Sequence, residues 1–236
     1  MITEKFKIRA NESDKNGFVK MSSLVGYLIE IAGEDADKLN FGFDDLDMHG
    51  KYWVLSRLLI EIKELPKWRD EIVIMTWPKG INKLFALRDF VILDKREVEI
   101  IKVTSAWLVL DRKTNRPCKV EDVISDFNCI IKKDSIEFLP NKIGISNEVK
   151  FIYSKKVLSS DIDVNLHVNS CKYIDWVIDC LDKQIENILS FQINFLSSAK
   201  LNDIIELRAT ENYDYIEATN FENENRIINA KIIYSN

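Results

Sequence analysis

Glycine, cysteine and histidine are all scarce in this sequence, and each shortage excludes a class of site. Only 7 of the 236 residues are glycines, and no Gly-rich loop precedes a helix, so the phosphate-binding and dinucleotide-binding fingerprints are both absent. The 4 cysteines form no CxxC pair and, with 2 histidines in the chain, no Cys/His ligand set. This argues against structural zinc or a redox motif and predicts reduced thiols.

Excess positive charge and long apolar runs are also missing. The 33 Lys and Arg residues stand against 38 Asp and Glu residues, which gives a net charge of -5 and little long-range attraction for nucleic acid or an anionic membrane. No apolar run approaches the roughly 18 to 20 residues of a membrane helix, and the first residues lack the apolar core of a signal peptide. We therefore expect a cytoplasmic protein that binds neither nucleic acid nor membrane.

The hydrophobic pattern predicts one helix followed by four strands. Apolar residues at spacings of three and four predict a helix from Met21 that ends near Gly33. A short strand at 6–10 precedes this helix, and strands at 53–63, 71–77, 84–93 and 98–110 follow it, with turns at 66–70, 78–80 and 94–97. We expect an α+β unit in which a mostly antiparallel sheet wraps the helix.

The same order of elements then starts again after a connector at 112–149, which has some helix around Val120 to Phe127. We predict a strand at 151–158, a helix that ends near Lys183, and strands at 190–196, 203–210, 213–219 and 226–234. With 46% hydrophobic residues, the chain can bury either one large core or two cores in domains of about 120 residues.

The densest group of polar residues that could take part in catalysis lies at the start of the second predicted helix. Asp163, Asn165 and His167 occupy alternate positions, which share one face of an extended segment or a turn. A carboxylate, an amide and an imidazole with an ordinary pKa near 6.5 make a plausible catalytic cluster, with His167 as the base. Backbone N–H groups at the start of the following helix are candidates for stabilising an oxyanion.

Two other interpretations of these residues stay open. Asn165 and His167 could instead cap the helix and satisfy a turn, because amide side chains are favoured caps. Cys171 lies four residues after His167 and could act as a nucleophile, although a cysteine on a helix stripe is more often a small buried apolar residue.

One constant offset of 149 residues (163 − 14 = 149) relates the two halves. It aligns the pattern Asp-x-Asn-x-Phe-Val at 14–19 with Asp-x-Asn-x-His-Val at 163–168. A tandem repeat is the economical explanation. Because Phe18 stands where His167 stands, we expect the first copy to keep the scaffold without the imidazole, so that the chain has one active site.

Several separate motifs cover most of both halves. They are DVNLHVNSCKYI at 163–174, WVLSR at 53–57, PKW at 66–68, TWPKG at 76–80, LFALRDF at 84–90 and TSAWLVLD at 104–111. In these motifs and their order, the sequence resembles the bacterial acyl-acyl carrier protein thioesterases, which are related to the plant enzymes that release fatty acids from acyl carrier protein (ACP).

The resemblance implies a tandem, or double, hotdog fold in which each half is a long helix wrapped by an antiparallel sheet and the halves pair as a pseudo-dimer. It implies an N-terminal hotdog at 1–111 that holds the acyl chain, the connector at 112–149, and a catalytic hotdog at 150–236. It also implies a fatty acid biosynthesis enzyme that hydrolyses acyl-ACP without metal or cofactor, acting as a monomer or a homodimer.

Carried over position by position, Asp163, Asn165 and His167 match the family's catalytic set, but one position departs from it. The family commonly has a glutamate on the strand that faces the helix, and the spacing puts Ser198 there. This departure keeps two alternatives open, namely an acyl-CoA thioesterase of the hotdog superfamily and a catalytically weakened acyl-binding protein. Because ACP is acidic, a basic docking patch is expected, and its candidate lysines are Lys79, Lys83, Lys132, Lys133, Lys155, Lys156 and Lys172.

Overall fold

The computed structural model of the protein describes residues 1–124, 127–182 and 184–235. The chain divides into two compact units, Met1–Pro140 and Asn141–Asn236. No helix within the described ranges has both the length and the apolar character that a membrane span requires.

The described residues of the first unit form six strands and two α-helices, and short 3-10 turns connect some of them. In chain order the elements are β1 (Ile2–Lys7), α1 (Met21–Lys38), α2 (Phe43–Met48), β2 (Lys51–Ile62), β3 (Glu71–Asn82), β4 (Phe85–Leu93), β5 (Glu99–Asp111) and β6 (Pro117–Cys118). The strands pair in the order β1-β3-β4-β5-β2, with β6 on β5, and all of these pairings are antiparallel.

Helix α1 buries the apolar stripe that its sequence predicts, and it contacts β1 and β3. Because apolar residues recur every three or four positions, they fall on one side of the helix. This predicted stripe is confirmed, since each of its members is at most 6% exposed: Met21, Leu24, Val25, Leu28, Ile31 and Ala32.

The second unit repeats this plan, with five strands and one α-helix in the part of it that the structure describes. Its elements are β7 (Lys150–Lys156), α3 (Ser170–Asp179), β8 (Ile188–Phe195), β9 (Ile204–Ala209), β10 (Tyr215–Asn220) and β11 (Arg226–Tyr234). The strands pair in the order β8-β11-β10-β9-β7, again antiparallel throughout. The predicted α+β class and antiparallel sheets are therefore confirmed.

Three predicted element ends are wrong. The first strand is Ile2–Lys7 rather than 6–10. Helix α1 continues beyond Gly33 to Lys38, because its buried face continues through Asp35 and Ala36. Helix α3 stops at Asp179, where the next N–H groups bond three residues back instead of four, so it does not reach Lys183, which lies outside the described residues.

Two predicted breaks also differ from the structure. Pro78 lies inside β3, where a bulge between Pro78 and Gly80 replaces the predicted turn. The neighbouring β1 pairs with β3 only as far as Thr76, so β1 needs no N–H from residue 78, whose carbonyl accepts the N–H of Ile131 at 2.9 Å. The helix predicted near 120–127 is instead two 3-10 turns, Val120–Asp122 and Phe127–Cys129, and residues 125 and 126 lie outside the described ranges.

Candidate active site

A tight turn at 163–167 carries all three polar candidates. Asp163 and His167 close it, with a 2.8 Å hydrogen bond from the backbone N–H of Asp163 to the carbonyl of His167. The N–H of Leu166 donates to the carbonyl of Asp163 at 3.0 Å, and the N–H of Asn165 donates to Oδ1 of Asp163 at 2.8 Å. Aspartate is favoured at this position because its side chain can accept a hydrogen bond from the backbone N–H two residues later.

The last residue before His167 in this turn has a left-handed backbone. Leu166 has φ +62°, as expected where a type I turn is followed by one left-handed residue before the chain reverses. The side chain of Leu166 is 79% exposed and that of Val164 is 86% exposed. The apolar residues of the turn therefore point to solvent, whereas Asp163, Asn165 and His167 are each partly buried.

The turn at 14–18 repeats this geometry bond by bond, which confirms the predicted tandem repeat. The N–H of Asp14 donates to the carbonyl of Phe18 at 2.8 Å, and the N–H of Asn16 donates to Oδ1 of Asp14 at 2.9 Å. Gly17, at φ +84°, donates to the carbonyl of Asp14 at 3.1 Å and takes the place of Leu166. The first copy thus builds the same turn around a phenylalanine.

Asn165 has a buried acceptor that the described part of the chain leaves unpaired. Its Oδ1 is enclosed, yet no hydrogen-bond donor within the described residues reaches it. A buried carbonyl oxygen without a donor costs free energy, about 1 to 3 kcal/mol by mutational measures. This unsatisfied acceptor lies two residues before His167 in the same turn.

The helix cap following the turn is neither Asn165 nor His167, so the capping interpretation of these two residues is wrong. Asn169 is the cap of α3, since its Oδ1 accepts the N–H of Cys171 at 2.8 Å. The N–H of Lys172 donates to the carbonyl of Asn169 at 2.9 Å. Two of the N–H groups considered for an oxyanion are therefore already used by the cap.

The side chain of Cys171 lies in an environment that disfavours a thiolate. Burial, together with the charge of Asp175 one helical turn later, raises the pKa of Cys171 from 9.0 to about 12. Because the thiolate is the reactive form, this thiol is a poor nucleophile near neutral pH. The structure therefore supports a packing role for Cys171.

Ser198 lies in an irregular segment after β8, which ends at Phe195, so its expected place on a strand is wrong. The side chain of Ser198 is exposed, while the next residue, Ala199, is fully buried. The carbonyl of Ala199 accepts the N–H of Val168 at 3.4 Å. Because Val168 directly follows His167, the segment that carries Ser198 lies against the candidate turn.

The lysines proposed for docking differ in their surroundings. Lys79 is 8% exposed, and its Nζ lies 3.1 Å from Asp89 and 3.1 Å from Asp134, so its assignment to a docking surface is wrong. Lys155 is partly buried, 3.7 Å from Asp161 and over the ring of Trp176. The lysines that are exposed are Lys83, Lys132, Lys133 and Lys156.

Sequence reasoning missed the functions of Asn169, Leu166 and Tyr173. Asn169 caps the helix, Leu166 supplies the left-handed residue of the turn, and the Tyr173 hydroxyl accepts the N–H of Ala199 at 2.9 Å. The offset of 149 residues could have found Leu166, because it aligns this residue with Gly17. Among the described residues, no group of three or more His, Cys, Asp or Glu side chains is arranged to hold a metal ion.

Comparison with known proteins identifies both units. Residues 1–127 match the model of the acyl-ACP thioesterase N-terminal domain, and residues 146–234 match that of the C-terminal domain. A chloroplastic oleoyl-ACP thioesterase of Coriandrum sativum is 28% identical over 200 residues, 77% of this chain and 54% of that protein. The chloroplastic oleoyl-ACP thioesterase 1 of Arabidopsis thaliana is 24% identical, and the match covers 88% of this chain and 63% of that protein. The chain therefore spans little more than half the length of these plant relatives.

Solved structures show the same double hotdog fold over almost the whole chain. An acyl-ACP thioesterase from Bacteroides thetaiotaomicron is 27% identical with a TM-score of 0.83, and the match covers 99% of this chain and 97% of that one. A 12:0-ACP thioesterase from Umbellularia californica has a TM-score of 0.82 at 18% identity, covering 99% and 96%. With both halves matched by its domain models and the fold shared end to end, this chain belongs to the acyl-ACP thioesterase family.

Proposed function

We propose that this chain hydrolyses the thioester of fatty acyl-ACP and releases a free fatty acid and the carrier thiol. The observation that carries this proposal is the buried, unpaired Oδ1 of Asn165 within the turn that ends at His167. An unsatisfied acceptor in the same turn as an imidazole is suited to hold a water for attack on a carbonyl. Membership of the family supports the choice of thioester and carrier.

In the proposed reaction, the oxygen of a water molecule bonds to the thioester carbonyl carbon while His167 accepts a proton from that water. The amide of Asn165 orients that water or the carbonyl. The C–S bond then breaks, which releases the free fatty acid, and the leaving thiolate takes the proton from His167. Asp163 orients the cluster, and its Oδ1 already holds the backbone N–H of Asn165.

We also propose that the two halves divide the work, with the acyl chain held by an N-terminal hotdog at 1–111 and the chemistry carried by a C-terminal hotdog at 150–236. The repeat supports this division, because the turn at 14–18 has the same backbone bonds but carries Phe18 instead of an imidazole. Exposed lysines outside the turn, including Lys156, remain candidates for the docking of acidic ACP.

The test replaces the imidazole with the side chain that the first copy already tolerates in this turn. His167→Phe should lower hydrolysis of acyl-ACP by about 100-fold or more while the melting temperature changes little. His49→Phe, at the exposed end of α2, is the matched control and should retain activity. Undiminished hydrolysis by His167→Phe would contradict the proposal.

The assigned position of Ser198 is tested separately. If a carboxylate there can take part in water activation, Ser198→Glu should raise the kcat for acyl-ACP, whereas Ser197→Glu should not. Ser197 is the matched control because its hydroxyl donates to the carbonyl of Arg226, away from the turn. Acyl-CoA substrates of the same chain lengths should be assayed beside acyl-ACP, and binding without turnover of either would favour a weakened acyl-binding protein.

A further inference from the structure

The hydroxyl of Tyr173 is buried in the second unit, and the reaction proposed above does not use it. Tyr173 lies on α3 and is 4% exposed, with its ring packed edge-on against Trp176 at 5.1 Å and tilted against Phe195 at 6.1 Å. Its hydroxyl oxygen accepts the N–H of Ala199 at 2.9 Å. Burial raises the pKa of Tyr173, so the hydroxyl stays neutral across the physiological range.

Ala199 is held on both of its backbone groups. Its N–H is bound by Tyr173 from α3, and its carbonyl is bound by Val168, the residue after His167. Ala199 is fully buried, so water cannot replace either partner. Ala199 therefore links the helix that follows the turn to the segment that carries Ser198.

The other end of this segment is fixed as well. The N–H groups of Leu196 and Ser197 both donate to the carbonyl of Ile227, at 2.8 and 3.2 Å. The hydroxyl of Ser197 donates to the carbonyl of Arg226 at 3.0 Å. Ser198 thus lies between two anchored points, and the Tyr173 hydroxyl supplies one of the bonds at the second point.

The first copy builds the same segment without this bond. There the N–H of Val19 donates to the carbonyl of Pro66 at 2.9 Å, as that of Val168 does to Ala199. The turns that follow also match, since Lys67 N–H donates to Asp70 Oδ2 at 2.8 Å and Lys200 N–H to Asp203 Oδ2 at 2.9 Å. Pro66 is therefore the counterpart of Ala199.

Donor and acceptor are present together in one copy and absent together in the other. The offset of the repeat pairs Tyr173 with Leu24, which has no hydroxyl, and Ala199 corresponds to Pro66, which has no N–H. A buried N–H must have a partner, and proline removes the need for one. The copy with the imidazole instead keeps the N–H and supplies a tyrosine to bind it.

We propose that Tyr173 is a positioning residue of the active site, whose hydroxyl fixes Ala199 and thereby holds residue 198 and the turn that carries His167 in their working arrangement. This inference rests on the proposed function of that turn. Without the hydroxyl, the buried N–H of Ala199 loses its partner and the residue shifts. Because the N–H of Val168 is hydrogen-bonded to Ala199 and Val168 directly follows His167, the shift reaches His167.

Tyr173→Phe removes the hydroxyl and keeps the ring packing. With acyl-ACP as substrate, we expect kcat to fall by about 10-fold to 100-fold with KM changed less than about two-fold, as for a displaced catalytic group. Tyr153→Phe is the matched control, because its hydroxyl donates to the carbonyl of Trp176 on the same helix but does not bind Ala199. That variant should lose thermal stability without the loss of kcat.

A second substitution separates positioning from direct chemistry. Tyr173→Phe combined with Ala199→Pro removes the unpaired N–H in the way that Pro66 does in the first copy. We expect the double variant to recover kcat to within about three-fold of the parent protein, because a proline again leaves no buried donor to satisfy. Recovery of the melting temperature without recovery of kcat would overturn the inference, because the hydroxyl would then act on the substrate itself.

Hydrogen exchange tests the same link without measuring activity. In Tyr173→Phe the amides of Val168 and Ala199 should exchange at least about 10-fold faster, while that of Leu207 in β9 should not change. Unchanged exchange at Val168, or unchanged kcat, overturns the inference. Full activity in His167→Phe would instead refute the proposed function, so the two failures are distinguishable.

Discussion

Gly17 and Leu166 occupy the same left-handed position in two copies of one turn, at φ +84° and +62°. Glycine adopts this conformation freely, but for leucine it costs about 1 to 2 kcal/mol because Cβ approaches the following carbonyl. The side chain of Leu166 is 79% exposed, so little packing offsets the cost. The copy that carries His167 therefore keeps a strained residue beside it.

Replacing Leu166 with glycine should relieve this strain. We expect Leu166→Gly to raise the free energy of unfolding by about 1 kcal/mol, measured by urea titration. Val164→Gly is the control, because Val164 is equally exposed but does not have a positive φ, and it should lower the free energy by about 0.5 to 1 kcal/mol. Equal losses in both variants would show that the backbone of Leu166 is not strained.

Matched substitutions in the two turns separate the structural role of Asp163 from its role in catalysis. Asp163→Ala and Asp14→Ala should each lower the free energy of unfolding by about 1 kcal/mol, because each removes the oxygen that accepts a backbone N–H of its turn. Asp163→Asn keeps that oxygen, and its stability should stay within about 0.5 kcal/mol of the parent. Hydrolysis of acyl-ACP should nevertheless fall in Asp163→Asn and not in Asp14→Asn. Equal hydrolysis by these two variants would leave Asp163 with a structural role alone.

The raised pKa of Cys171 predicts that its thiol reacts slowly with alkylating reagents. Moving a pKa from 9.0 to about 12 lowers the thiolate fraction at pH 8 by about 10³-fold, so iodoacetamide should modify Cys171 about 10³-fold more slowly in folded than in unfolded protein. The rate should rise about ten-fold per pH unit, because pH remains below the pKa. Peptide mass spectrometry measures this rate, and Cys171→Ala should retain hydrolysis. Rapid modification with loss of activity would revive the nucleophile interpretation.

The ion pair between Asp35 of α1 and Arg88 of β4 should be important for the stability of the first unit. Its atoms lie 2.7 Å apart with both side chains buried, so Asp35→Ala leaves an unpaired buried charge and should cost about 3 to 5 kcal/mol. Glu34→Ala removes a partner of the exposed Lys38 on the same helix and should cost at most about 0.5 kcal/mol. Chemical denaturation compares the two, and equal effects would contradict the assigned difference in burial.

The turn of the candidate site could be predicted because it is a local structure. The pattern Asp-x-Asn fixes an aspartate that bonds the backbone two residues on, and the bonds of Asp14 and Asp163 show that this chemistry works in both copies. The helix ends could not be predicted equally well. Gly33 resembles a stop signal, but the buried Asp35, paired with a distant strand, carries α1 past it.

The sequence by itself determined the class of the fold, the repeat and the turn that carries Asp163, Asn165 and His167, because periodicity and turn chemistry act over a few residues. Only the tertiary structure decided which groups meet that turn. It placed Cys171 where its pKa is raised, removed Lys79 from the surface, and joined Tyr173 to Ala199 by a hydrogen bond across 26 residues of chain. Such contacts depend on which buried donors need partners, and spacing along one chain does not show this.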